Sequence, residues 1–230
     1  MPSPPSCPSA VGWLRQGGRR LRVHWQLKMI GTLVGMSAFF FAYFWLLEHP
    51  VFPVTVMPLL ALDRLIAFRP EAIVLYVSLW LYVSLVPALI ENGSELVSCA
   101  AAWTVLSMAG FGFFFFWPTA VPPRASDWAL HPGFSLLQEI DASGNACPSL
   151  HVAFSVFTAI CFDRLLRELG AGRSVRAGNW LWCAAIVYST LATRQHVALD
   201  AAAGAVLGAI VAGVHLRWLR DKRTRPCLDS

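Results

Sequence analysis

Apolar residues occur in long runs along this chain, and the polar residues between the runs are clustered. Six runs approach the roughly 20 residues that a helix needs to cross a bilayer. Such runs are far longer than ordinary strands, so the pattern predicts an all-α, polytopic membrane protein with a bundle of six transmembrane helices. The runs lie at about 29–47, 72–90, 95–117, 149–166, 179–193 and 197–219.

Two connections between the runs are long. The segment 48–71 is apolar but contains four prolines, which is typical of an interfacial or re-entrant segment. The segment 118–148 is the longest polar stretch and predicts a loop outside the membrane. We predict a basic, disordered cytoplasmic tail at residues 1–28 and a second basic cytoplasmic tail at residues 220–230. The membrane domain then spans residues 29–219.

Composition agrees with a membrane protein. The chain is 57% hydrophobic and 13% charged, whereas soluble domains carry about 25% charged residues. The net charge of +5 does not indicate a nucleic-acid partner, because most basic residues lie in short connections beside apolar runs.

The basic residues also predict the orientation. The N-terminal tail carries five, the connection after the fourth run four and the C-terminal tail five, whereas the opposite connections carry four of the 18. Positive charge collects on the cytoplasmic side of membrane proteins. We therefore expect both termini to be cytoplasmic, and the segments 48–71, 118–148 and 194–196 to be extracytoplasmic.

Two polar motifs fall on the predicted outer side. The first runs from Cys147 to His151 (CPSLH), and the second runs from Ser189 to Asp200 (STLATRQHVALD). Within the second motif His196 and Asp200 are four residues apart, a spacing that puts two side chains on one face of a helix. A carboxylate so placed can hold one imidazole nitrogen and leave the other available for nucleophilic attack.

These residue types suit the cleavage of a phosphoester, which needs a nucleophile, a proton for the departing oxygen, and cations or N–H donors around the phosphoryl group. His196, oriented by Asp200, is the candidate nucleophile. His151 is the candidate acid, because imidazole titrates near neutral pH.

Candidates for binding the phosphate are Arg124, Arg194 and Ser149, the last at the start of a helix, where the dipole favours an anion. Either arginine alone is also typical of an interfacial anchor, and a single interfacial histidine is often a polar cap. Their combination on one predicted side favours a site.

The two motifs resemble the second and third signature motifs of the type 2 phosphatidic acid phosphatase superfamily, which read Pro-Ser-x-His and Ser-Arg-x5-His-x3-Asp. The resemblance implies a six-helix bundle that needs no metal or cofactor and works by double displacement. It also implies that His196 forms a phosphohistidine, that Asp200 orients it and that His151 protonates the leaving alcohol.

The chain departs from that pattern in two places. The first family motif, Lys-x6-Arg-Pro, is absent, because Leu62 occupies the lysine position before Arg69. A proline-rich stretch ending in Arg124 resembles instead the branch related to inositol phosphorylceramide synthase. In the third motif Thr190 replaces the arginine, and Arg194 is the candidate substitute.

The predicted function is a lipid phosphatase that acts on a lipid phosphate monoester or pyrophosphate at the outer face of the membrane. A head-group phosphotransferase differs only in its acceptor, which the motifs do not encode. A transporter is less favoured, because transporters place polar groups near the midplane and show repeats. The expected partners are a lipid phosphate and the bilayer itself, with no nucleic acid.

Overall fold

The structure is a computed structural model that describes residues 10–122 and 144–224. The described chain is nearly all α-helical, as predicted, with a 3-10 turn at Pro70–Ala72 leading into the fourth helix. The helices are α1 (Ala10–Arg22), α2 (Trp25–Glu48), α3 (Ala61–Leu65), α4 (Ile73–Val77), α5 (Leu79–Leu89), α6 (Gly93–Phe116), α7 (Leu150–Glu168), α8 (Arg173–Ala192) and α9 (Ala198–Thr224).

Within the described residues, four stretches are long and apolar enough to cross a membrane, namely Trp25–Glu48, Pro70–Leu89, Gly93–Phe116 and Ala198–Lys222. They confirm the first, second, third and sixth predicted runs as candidate spans. Helices α7 and α8 match the fourth and fifth runs but fall outside this set, so the number of six spans stays a prediction.

Helix α8 begins at Arg173, six residues before the predicted start of the fifth run. Its polar first turns are stabilised by an ion pair, in which Arg176 Nε donates to Asp163 Oδ1 of α7 at 2.7 Å. The apolar run alone could not show this contact.

Helix α7 is the centre of the bundle and packs against α5, α6, α8 and α9. Its closest neighbour is α9. A Cβ atom at Gly204 would lie 2.2 Å from the carbonyl oxygen of Ser149, and one at Gly208 would lie 2.2 Å from that of Ala153. Because glycine has no Cβ, the two backbones can touch here. The contact places the start of α7 against the first turns of α9.

The bundle has two chemically different ends. We call the end where α7 and α9 begin and α8 ends the site end, and the opposite one the far end. At the far end Arg164 of α7 pairs with Glu95 of α6 and, at 3.1 Å, with Glu168.

The predicted disordered tail of residues 1–28 is wrong for residues 10–22, which form α1, while residues 1–9 lie outside the described part. Helix α1 is ordered by its contact with the far end of α5, where a Cβ atom at Gly17 would lie 3.9 Å from Leu89 Cδ2. Helix α9 continues to Thr224, so the first five residues of the predicted basic tail at 220–230 are helical.

A small sheet, which the sequence did not predict, lies at the site end. Strand β1 (Thr55–Val56) pairs in parallel with β2 (Thr119–Ala120). The predicted loop 118–148 is therefore packed into the protein at both of its described ends, and its residues 123–143 lie outside the described part. A buried cluster joins these segments to the start of α9 and consists of Met57, Val121, Ala146, Cys147 and Val197.

Candidate active site

The turn between α8 and α9 presents His196. Arg194 adopts a left-handed conformation with φ 61°. Its N–H donates to the carbonyl of Leu191, and the N–H of Gln195 donates to that of Thr190, both at 3.1 Å. These two bonds form a Schellman motif, in which glycine usually occupies the left-handed position. The N–H of His196 also donates to the Thr190 carbonyl at 3.1 Å, which fixes the backbone of the candidate nucleophile.

The His196–Asp200 contact expected from the spacing is present. His196 Nδ1 lies 3.2 Å from Asp200 Oδ2, and the side chains are 10% and 0% exposed. His196 precedes α9 rather than lying on it, so the contact joins a residue ahead of the helix to the third helical residue. A carboxylate acceptor at this distance favours the tautomer with the proton on Nδ1 and the lone pair on Nε2.

Asp63, which the sequence did not single out, holds the first turn of α9. Its carboxylate is buried and accepts hydrogen bonds from the N–H of Ala198 at 2.8 Å and from the N–H of Leu60 at 2.7 Å. Since Val197 has no polar side chain, this contact from α3 takes the place of a local N-cap. It connects the segment 48–71 to the helix that carries Asp200.

Ser149 is the N-cap of α7. Its hydroxyl oxygen accepts a hydrogen bond from the N–H of Val152 at 3.2 Å, and the residue is fully buried. Its own N–H donates to the carbonyl of Asp200 at 3.0 Å. This bond joins the two sequence motifs directly, and a contact of Ser149 with phosphate stays a prediction.

His151 lies two residues beyond Ser149, in the first turn of α7. Its ring stacks on Tyr76 with centroids 3.9 Å apart and lies edge-on to Trp80 at 6.0 Å. His151 Nε2 is 3.0 Å from the carbonyl oxygen of Tyr76, which can only accept, so Nε2 carries a proton. The helix α4 thus fixes the ring plane of the candidate acid.

Of the two arginines predicted to bind phosphate, the structure describes only Arg194. The guanidinium carbon of Arg194 lies 6.0 Å from the centre of the Phe68 ring, and Arg124 lies outside the described residues. The structure adds Arg69, an exposed residue whose N–H donates to the carbonyl of Ala192 at 2.9 Å. Arg69 therefore lies beside the end of α8. In the sequence it stands at the arginine position of the first family motif, Lys-x6-Arg-Pro, which is absent because Leu62 occupies the lysine position.

Cys147 is close to the site but is not suited to act as a nucleophile. Its N–H donates to the hydroxyl oxygen of Thr119 at 2.8 Å, which holds it in the buried cluster around Val197. Burial, and secondarily the charge of Asp200, raises the pKa of the Cys147 thiol to about 11. The thiol is therefore neutral at physiological pH, and a neutral thiol is a poor nucleophile.

Comparison with known proteins supports the same family as the motifs. The family model described as the PAP2 superfamily matches residues 69–224, which is more than half of the chain and includes both motifs. Comparisons with curated proteins and with solved structures gave no match. The chain belongs to the PAP2 superfamily.

Proposed function

We propose that this protein is a membrane phosphatase that hydrolyses a phosphate monoester or pyrophosphate of a lipid, with His196 as the nucleophile. The family acts on phosphate esters. The observation that carries the proposal is the 3.2 Å contact between His196 Nδ1 and the fully buried Asp200. A buried carboxylate orients the ring and stabilises the positive charge that the imidazole acquires on attack.

The reaction has two displacements. In the first, the lone pair of His196 Nε2 forms a bond to phosphorus while the bond from phosphorus to the lipid oxygen breaks. That oxygen takes a proton from His151 and leaves as an alcohol or, from a pyrophosphate, as a phosphate. In the second, His151 accepts a proton from water as the water oxygen attacks phosphorus, and the P–N bond breaks to release phosphate and restore His196.

In this proposal the guanidinium groups of Arg194 and Arg124 bind the phosphoryl oxygens, and Arg69 is a third arginine that does so. Arg194 and Arg69 support it by position, since both lie where α8 ends beside His196. Arg124 and the hydroxyl of Ser149 are carried over from the sequence motifs.

Three variants test the mechanism in purified protein with a panel of lipid phosphates in detergent. His196→Ala should abolish phosphate release and any acid-labile phosphoprotein, and Asp200→Asn should lower kcat by roughly 10²–10⁴-fold. His151→Ala should slow aliphatic phosphates much more than nitrophenyl phosphate, whose leaving group needs no proton. His49→Ala is the matched control, because His49 is an exposed histidine that follows α2 at the site end. Full activity in His196→Ala would refute the scheme.

The same panel separates hydrolysis from head-group transfer. A phosphatase releases inorganic phosphate, whereas a transferase forms a new phospholipid only when a second lipid alcohol is supplied. No release and no new lipid over the whole panel would count against both activities and favour the transporter alternative.

The proposal places the site on the extracytoplasmic side and both termini in the cytoplasm. It is supported by the position of the histidines at the site end, opposite the basic residues of α1 and of the start of α8. A cysteine introduced at exposed Arg64 should react with an impermeant maleimide in intact cells, and one at exposed Arg173 only after permeabilisation. The reverse pattern would overturn the orientation.

A further inference from the structure

Helix α1 carries a row of arginines on one face. Arg15, Arg19 and Arg22 follow one another at spacings of four and three residues, which lie on the same side of a helix. With Gly18 and Val23 they line an open cleft of about 440 Å³. Arg15 and Arg22 are exposed, and neither pairs with a carboxylate of the described residues. Arg19 pairs with Glu91 at 3.2 Å, so two of the three arginines of this face keep a positive charge that no described carboxylate neutralises.

The opposite side of α1 is fixed to the far end of the bundle. Lys28 Nζ donates to the carbonyl oxygens of Arg20 and of Ala88, each at 2.8 Å. Arg20 also lies within 3.8 Å of Glu91 and 4.0 Å of Glu168. Since Ala88 belongs to the last turn of a candidate span, these bonds hold α1 level with the end of that span.

Large apolar side chains border the arginine row. Leu14 is 59% exposed, Leu21 is 50% exposed, and Trp25, at the start of α2, is 54% exposed. Tryptophan and an amphipathic basic helix are both typical of the boundary between lipid head groups and acyl chains. Exposed leucines beside arginines at the end of a span therefore match that boundary.

We propose that α1 is an interfacial helix that binds the phosphate-bearing head groups of anionic phospholipids, in the leaflet at the far end. Leu14 and Leu21 enter the acyl boundary, while Arg15 and Arg22 bind the head groups and Arg19 stays paired with Glu91. The occupant follows from charge complementarity, since an anionic leaflet attracts basic residues next to a span. The inference does not depend on the catalytic proposal, because α1 lies at the other end of the bundle.

Hydrogen–deuterium exchange of residues 12–22 tests the proposal on the full chain in nanodiscs. Wild-type protein is compared in phosphatidylcholine alone and with a phosphatidylglycerol admixture. We expect slower exchange of α1 in the anionic lipid, by about fivefold for each arginine engaged, and a loss of this effect at high salt. Equal exchange in the two lipids would overturn the proposal.

The Arg15→Gln/Arg22→Gln double variant should exchange like wild type in phosphatidylcholine and lose the response to phosphatidylglycerol. Arg173→Gln is the matched control, since Arg173 is an exposed arginine at the far end outside α1, and it should keep the response. A double variant that keeps the full response contradicts the assignment. Equal protection by soluble inorganic phosphate in phosphatidylcholine nanodiscs would contradict a lipid ligand.

Discussion

Replacing Asp63 with alanine removes the acceptor of two backbone hydrogen bonds, at 2.8 Å from Ala198 and 2.7 Å from Leu60. Both N–H groups are then left without their partner at a partly buried position. The first of them belongs to the first turn of α9, which also carries Asp200. The variant should therefore affect both stability and catalysis.

The size of the effect follows from these contacts. A hydrogen bond to a charged group contributes about 1.5–3 kcal/mol, and loss of an N-cap costs about 1 kcal/mol. Water can reach part of the opened position, so we expect a loss of about 2–4 kcal/mol in the free energy of unfolding. Displacement of the catalytic groups by about 1 Å can cost 10²-fold in rate, so kcat should fall by about 10- to 100-fold with a smaller change in KM.

The assay combines thermal unfolding in detergent with kinetics on the best substrate of the panel. Leu62→Ala is the matched control, because Leu62 lies on the same short helix and its side chain is exposed. Asp63→Asn should recover part of the stability, since one amide oxygen can still accept from Ala198. The reasoning is refuted if Asp63→Ala unfolds at the same temperature as Leu62→Ala and keeps its kcat.

Three further predictions follow from the contacts around the two motifs. Gly204→Ala should lower the free energy of unfolding by about 1–3 kcal/mol, because its Cβ would lie 2.2 Å from the Ser149 carbonyl oxygen. Gly213→Ala on the same helix is the control: its Cβ would meet nothing within 4 Å, so this variant should unfold at the wild-type temperature in the same melting experiment. Iodoacetamide near neutral pH should leave activity unchanged, because the Cys147 thiol is neutral; inactivation that disappears in Cys147→Ser would contradict this. Ser149→Asp should raise KM for a phosphate substrate more than the equally large Ser149→Asn, and equal values would show that charge at the start of α7 is unimportant.

The parts of the fold that could be predicted are those that depend on residues close to one another in the sequence. A run of about 20 apolar residues specifies a span because each backbone polar group must be satisfied within the helix. The His196–Asp200 contact was also local, since four residues separate the two groups. It forms even though His196 lies before the helix, because the residue ahead of a first turn can reach its third residue.

The remaining features depend on contacts distant in sequence. Asp63 is 135 residues from Ala198, and nothing near Asp63 in the sequence distinguishes it from any other acidic residue in a connection. Strands β1 and β2 have two residues each, too few for a period-two pattern. The left-handed backbone conformation of Arg194 could not be predicted, because glycine, the residue that usually signals this conformation after a helix, is absent there.

The directions of α7 and α9 bear on the proposed phosphate site. Helices α7 and α9 both begin at the site end, so the positive ends of their dipoles lie there together. On α9 carboxylates already occupy this field, since Asp63 accepts from Ala198 and Asp200 is the third helical residue. On α7 the cap is Ser149, a neutral hydroxyl. The first turn of α9 thus contains an acidic residue, whereas the first turn of α7, the helix that carries the candidate acid, contains none. In the proposed mechanism the leaving oxygen of the phosphoryl group would lie at this start of α7.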